Sequence, residues 1–199
     1  MKITDINDAT VATPESYADC LTLISSDVYR YTGQTVVSPV RLWLMRLKDP
    51  GLGFLFYFRL TQYRRGFMWH YFRLRREKYA RKYGLYIPTS VRCGFGLYLG
   101  HGMGLAVNGS AVIGTNVNLS QFTTIGSNRG KAAIIGNNSY LGPQVCTVED
   151  VTIGAGAVIG AGAVVVKNVP PGATAAGVPA RIINESNNYE PTNPWRPRQ

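Results

Sequence analysis

Only two histidines occur in the chain, and they sit in very different settings. His101 falls in YLGHGMGLAVNGSAVIG, residues 98–114, a run of aliphatics, glycines and small polar residues with no charge nearby. Imidazole is the side chain that exchanges a proton near neutral pH, so its placement there raises the question of what it serves. His70, in MWHYF, stands among aromatics and reads as packing or surface. Cys20, Cys93 and Cys146 are spaced too widely for a metal motif. Their odd number argues against a disulfide framework, so a reducing, cytoplasmic compartment is expected.

What must position His101 is legible from Leu99 onward, where the sequence repeats every six residues. Aliphatics open the units at 113, 119, 125, 135, 141, 153, 159 and 165, with Thr147 in the same register. Between 125 and 135 four extra residues intervene. Position five is also small or aliphatic, as in Val117, Thr123, Val145, Val151, Ala157 and Ala163. A period of six is neither helical nor simple strand alternation; it marks a hexapeptide parallel β-helix. Three short strands make one triangular coil, the opening aliphatic points inward, and coils stack at about the 4.8 Å strand spacing. Glycine at position two is expected to serve the turn, through positive φ or close backbone approach. NVPPGATAAGVPARII, 168–183, reads as the stop, since Pro170 and Pro171 remove ladder donors. The tail from 184 to 199 is polar and proline-rich and is expected to be extended, with Trp195 as its one docking residue.

The first 85 residues read as helices. Thr13-Pro14-Glu15 signals a start, Tyr17, Cys20, Leu21, Ile24 and Val28 follow at helical spacing, and Gly33 ends the segment. Ser38-Pro39 opens a second helix, and Asp49-Pro50 breaks it and caps a third that reaches about Gly66. WHYFRLRREKYARKY, a fourth, runs to Gly84. The expected class is α+β: an N-terminal helical domain over 1–85, a left-handed parallel β-helix over 86–183, and the tail. The helices are expected to cap the open first coil, because a bare end would expose an edge and an apolar face. Net charge is +10, and residues 41–83 hold 12 of the 21 lysines and arginines against Asp49 and Glu77. The acidic, polar MKITDINDAT is unlike a secretory signal, and the longest apolar run, GLGFLFYF, is far short of a bilayer span of about 20 residues.

GHGMGLAVNGSAVIG, followed by IGAGAVIGAGAVVVKNVPPGATAAGVPARII, resembles the left-handed β-helix acyltransferases, and within them the serine acetyltransferase branch. KDPGLGFLFYFRL resembles the helix that precedes the β-helix in that branch. The resemblance covers residues 40–183. It implies a homotrimer with acetyl-CoA lying in clefts between neighbouring prisms, and it implies that His101 is the catalytic general base. One feature opposes that role: 101 shares a register with the inward positions 107, 113 and 119. A regular first coil would turn the ring into the prism, so the resemblance implies an irregular one. For the cofactor it implies Gly142, Gly160 and Ala161 beside the pantetheine arm, with Lys167 and Arg181 near the phosphates.

The acceptor side departs from the branch. Its charged positions are matched here by Tyr86, Gly100, Gly109 and the pair Lys131-Ala132. A zwitterion such as serine needs paired charges, so the pattern favours a neutral hydroxyl, most simply of a sugar in surface-polysaccharide synthesis, free or lipid-linked. Asn108 and Lys131 are acceptor candidates, with Ser120, Gln121, Asn128 and Asn137 as further neutral donors and acceptors. Asp27, in SSDVYRYTG, is a candidate acceptor contact or histidine orienter. Serine O-acetylation is the alternative; the branch commonly ends in an isoleucine, where this sequence has Gln199. An alternative of another class is a non-catalytic module using the arginine- and aromatic-rich segment 41–84 on a membrane surface or nucleic acid. Packing of that segment with weak peripheral membrane attraction is the preferred reading. No nucleic-acid motif is present. Two histidines cannot build a three-histidine zinc centre, and 85 helical residues cannot build a nucleotide domain.

Overall fold

The computed structural model describes residues 1–34 and 38–196. A hairpin comes first, β1 (Lys2–Ile6) with β2 (Ala9–Thr13), paired antiparallel. Four helices follow: α1 (Tyr17–Thr32), α2 (Pro39–Lys48), α3 (Pro50–Gln62) and α4 (Met68–Tyr83). Then come short strands: β3 (Arg92–Cys93), β4 (Tyr98–Leu99) and β5 (Ala106–Val107) in coil one, and β6 (Val112–Ile113), β7 (Asn118–Leu119) and β8 (Thr124–Ile125) in coil two. Coil three holds β9 (Ile134–Ile135), β10 (Tyr140–Leu141) and β11 (Cys146–Thr147); coil four holds β12 (Thr152–Ile153), β13 (Val158–Ile159) and β14 (Val164–Val165). β15 (Thr174–Ala176) and β16 (Arg181–Asn184) close the top.

The strands stack in parallel on three faces, β3-β6-β9-β12, β4-β7-β10-β13-β15 and β5-β8-β11-β14. The architecture is thus α+β, with helices preceding a left-handed parallel β-helix. The repeat dictates it directly: Ile113, Leu119, Ile125, Ile135, Leu141 and Ile153 are fully buried along the prism axis. From Asn116 to Gly162 positive φ, between 58° and 69°, falls at position four of every unit except the loop-bearing one at 125, and not at position two. Position-two glycines serve close approach alone: a Cβ on Gly136 would lie 2.5 Å from Ala155 N, and one on Gly154 2.4 Å from Pro171 N. The extra residues between 125 and 135 form a loop held by acids. Glu149 accepts from the backbone N–H groups of Asn128 and Arg129, and Asp150 accepts from that of Lys131.

The helices close the open end as expected. Phe54, Leu55 and Phe58 of α3 join Leu85, Leu97 and Leu99 in one continuous core. Ser38 and Asp49 cap α2 and α3 as the sequence indicates, while Ser16, not Thr13, caps α1, its Oγ accepting from Asp19 N. Gly33 and Gly84 end α1 and α4 in the left-handed conformation, and α3 stops at Gln62, short of Gly66.

One feature departs from the sequence reading. The hairpin stands where the sequence reads as helical; its Ala9 and Val11 pack on Val112 along the prism flank. Asn137 fixes it there, accepting from Thr10 N and Thr115 N and donating to Thr10 Oγ1. The stop segment adds β16 against β15, and the tail then runs back along a corner, with Trp195 docking as expected. Asn187 donates to Gly156 O and Ala173 O, and Trp195 docks edge-on to Tyr29 with its backbone held by Asn116. Residues 197–199, Gln199 among them, lie outside the described residues.

Candidate active site

The strand before His101 is clasped from the helical side. The Tyr31 hydroxyl accepts from Leu99 N at 3.1 Å and donates to Leu99 O at 3.2 Å. Inward residues step by six from Cys93 to Leu99, by eight from Leu99 to Val107, and by six again to Ile113. Two extra residues therefore swell the turn LGHGMGLA. His101, Gly102 and Gly104 all take positive φ, 59°, 47° and 66°, and the bulge throws the imidazole outward. His101 is exposed, and its apparent inward register is cancelled by the insertion.

The bulge lies on the N-terminus of α3. A Cβ on Gly102 would sit 2.2 Å from Gly51 N, so only glycine lets the turn rest on that backbone. Asp49, the cap of α3, accepts from Leu52 N at 2.8 Å and directly precedes the Pro50-Gly51 backbone on which the His101 turn rests. Burial raises the Asp49 carboxyl above its usual range, against the pull of the Leu52 and Gly51 amides and of His101. On the other side the Phe122 ring covers Gly104, and Phe122 N donates to Met103 O. Phe122 and Met103 stay half exposed beside the imidazole. The site thus offers one outward imidazole, a half-buried carboxylate and an apolar wall.

Below His101 runs a row of small residues on the corner between β4-β7-β10-β13 and β5-β8-β11-β14. Gly100 N donates to Leu119 O, Ser120 N to Leu141 O, Gly142 N to Ile159 O and Gly160 N to Ala175 O. His101, Gln121, Pro143 and Ala161 follow one another at this corner, a coil apart. The side-chain oxygen of Gln121 is buried without a partner. Arg181 pairs in register with Ala176, which sits directly above Gly160. Gly142, Gly160, Ala161 and Arg181 therefore share an edge with His101. Gly142 and Gly160 are also required by stacking, since Cβ atoms there would meet Ala161 N at 2.9 Å and Ala176 Cβ at 3.0 Å.

Other sequence candidates lie elsewhere. Lys167 follows β14 at the next corner, away from the row. Asn108 is spent on its own turn, accepting from Ser110 N and Oγ. Lys131 sits in the acid-held loop after β8, across a face from His101. Asp27 is a structural residue, correcting the reading of it as an acceptor contact. It is 1% exposed and takes a bidentate pair from Arg59 at 2.8 and 2.9 Å plus Leu97 N at 2.8 Å. The same Arg59 donates to Gly94 O and Cys93 Sγ, pinning α1, α3 and coil one together. Asp49, Met103 and Phe122 were missed. Asp49 read only as a helix cap, and an aromatic at a position that favours asparagine or glycine was the available signal for Phe122.

Among the described residues no group of three His, Cys, Asp or Glu side chains could hold a metal ion. Residues 132–167 match the family model described as bacterial transferase hexapeptide (six repeats). Serine acetyltransferase 2 of Arabidopsis thaliana is 32% identical over 120 residues, 58% of this chain and 37% of that protein. The chain spans about two fifths of the length of the curated relatives it matches. Among solved structures, the serine acetyltransferase of Brucella abortus strain S19 overlays with a TM-score of 0.68 at 27% identity, over 85% of this chain and 69% of that one. A serine acetyltransferase in complex with CoA gives 0.66 at 24% identity over 83% and 69%, a likeness of fold alone. The repeat segment carries the hexapeptide pattern of bacterial transferases, and the chain is similar in sequence and fold to serine acetyltransferases. Nothing in these relatives points to capsule enzymes.

Proposed function

We propose that the protein is an acetyl-CoA-dependent O-acetyltransferase with His101 as general base. The supporting observation is the eight-residue turn that puts an exposed imidazole on the α3 cap and at the head of the small-residue edge. In this reading His101 takes the proton of an acceptor hydroxyl as its oxygen attacks the thioester carbonyl. The tetrahedral species collapses, the C–S bond breaks, and the imidazolium returns the proton to the departing thiolate. Asp49 takes the orienting or acceptor-binding part first considered for Asp27. Gly142, Gly160 and Ala161 line the cofactor edge and Arg181 meets its anionic end. A homotrimer, the assembly implied by the resemblance, belongs to this reading.

The relatives support serine as the acceptor, ahead of the sugar favoured by the sequence. One observation keeps the neutral hydroxyl as a second reading: the His101 turn rests on the helix end capped by the Asp49 carboxylate, while the candidate cation Lys131 lies in the loop across a face. A zwitterion needs both signs. Thiol release from acetyl-CoA, with L-serine against a panel of sugars, decides between them. Serine turnover supports the first reading, and sugar turnover without serine turnover the second. Full activity in His101→Ala sinks the proposed base under either.

A further inference from the structure

The helical domain presents a face that the catalytic reading does not use. On α2, Val40, Trp43, Leu44 and Leu47 are 45–69% exposed at helical spacing, one stripe on one side. Phe67, Met68, Tyr71 and Leu74 make a second stripe at and after the start of α4, Phe67 at 84% and Leu74 at 70%. Lys78 and Lys82 join the two: both line a cleft with Leu47, and both line a second cleft with Leu74. Exposed aliphatics and aromatics therefore lie among cations, with Arg75 and Arg81 also at these clefts. The one acid of α4, Glu77, is paired with Arg76.

We propose that this α2–α4 face docks on an anionic lipid bilayer. Charge selects the partner: besides Arg59, buried on Asp27, and Arg76, paired with Glu77, ten basic residues lie within 41–83, and the one remaining acid, Asp49, caps α3 on the active-site side. The apolar stripes argue for lipid over nucleic acid, since phosphate contacts alone need no exposed Trp43, Phe67 or Leu74. Trp, Phe and Leu enter the acyl boundary while lysine and arginine reach the headgroups. No helix of the described residues is long and apolar enough to cross a membrane, so the mode is lying on the surface. The face is coupled to the candidate site, because Leu47 precedes the Asp49 cap by two residues and the His101 turn rests on Pro50 and Gly51.

The test is cosedimentation of the full chain with phosphatidylglycerol vesicles and with phosphatidylcholine vesicles. Binding to the first only, weakened by high salt, is expected. Lys78→Glu with Lys82→Glu should lower partitioning well over tenfold, at about fivefold per basic side chain removed and more for reversal. Trp43→Ala with Leu74→Ala should abolish what survives at high salt. These positions are exposed, so both variants should keep the parent's melting temperature, and light scattering should report an unchanged mass. Equal partitioning of parent and variants overturns the proposal. So does a fall in mass for Trp43→Ala with Leu74→Ala, which would make the stripe a contact between copies, or retention on RNA without retention on vesicles. Because vesicle binding is read without substrate, failure here leaves the acetyltransferase reading standing, and the reverse.

Discussion

Replacing Gly102 with alanine isolates the element that holds His101 in place. The new Cβ would lie 2.2 Å from Gly51 N, 2.6 Å from Gly51 Cα and 3.0 Å from Pro50 C, all of them backbone. None can swing aside, so the turn must lift from α3 by about 1 Å to restore ordinary contact. The residue also keeps a φ of 47°, which an L-residue adopts at a cost of ~1–2 kcal/mol. Overpacking adds ~1–3 kcal/mol, giving a loss of about 2–5 kcal/mol and a melting temperature lower by on the order of 10 °C. A displacement of about 1 Å at the base lowers turnover by about a hundredfold. Gly172→Ala is the control, since it carries the same penalty at a φ of 70° but meets nothing within 4 Å. It should melt only a few degrees lower and keep parental turnover. Steady-state thiol release and calorimetry on both variants make the comparison. Parental turnover in Gly102→Ala, or equal turnover losses in the two, would refute the claim that contact with α3 positions the imidazole.

Asp27→Ala leaves Arg59 fully buried without a counter-charge and should cost ~3–5 kcal/mol by denaturant titration, with turnover of the folded fraction kept. Asp49→Asn keeps a capping side chain but removes a carboxyl whose folded value is raised by burial. That raised group gives stability present at low pH and lost as pH climbs from the ordinary carboxylate range through the folded value. The melting temperature of Asp49→Asn should therefore gain on the parent as pH rises from about 4, the ordinary carboxylate range, through the raised folded value. Cys20 and Cys93 are buried, and burial pushes the Cys20 thiol up to about 11. Ellman's reagent should thus label Cys146 first in the native protein and all three thiols after unfolding.

The prism was readable because its period is local: each unit repeats an inward aliphatic and a small residue at position five, and most add the position-two glycine that lets the next coil approach. The caps Ser38 and Asp49 and the stops Gly33 and Gly84 were readable for the same reason, since each acts within one turn of its own helix. The hairpin escaped because ATVAT is short and is held by partners such as Val112 and Asn137, a hundred residues or more away. Asp27 illustrates the limit for single residues. An acid in an amphipathic helix looks solvated until Arg59, thirty-two positions on, is seen to pair with it.

By itself, then, the sequence determined the β-helix, its helical cap and the single imidazole worth testing, because these depend on spacing along the chain. Whether that imidazole faces the core or a cleft, and which carboxylate stands near it, was decided by the tertiary structure. Two inserted residues reverse the direction of a side chain, and the group beside it arrives on a helix about fifty positions earlier in the sequence. Such proximity is set by packing, which spacing cannot encode.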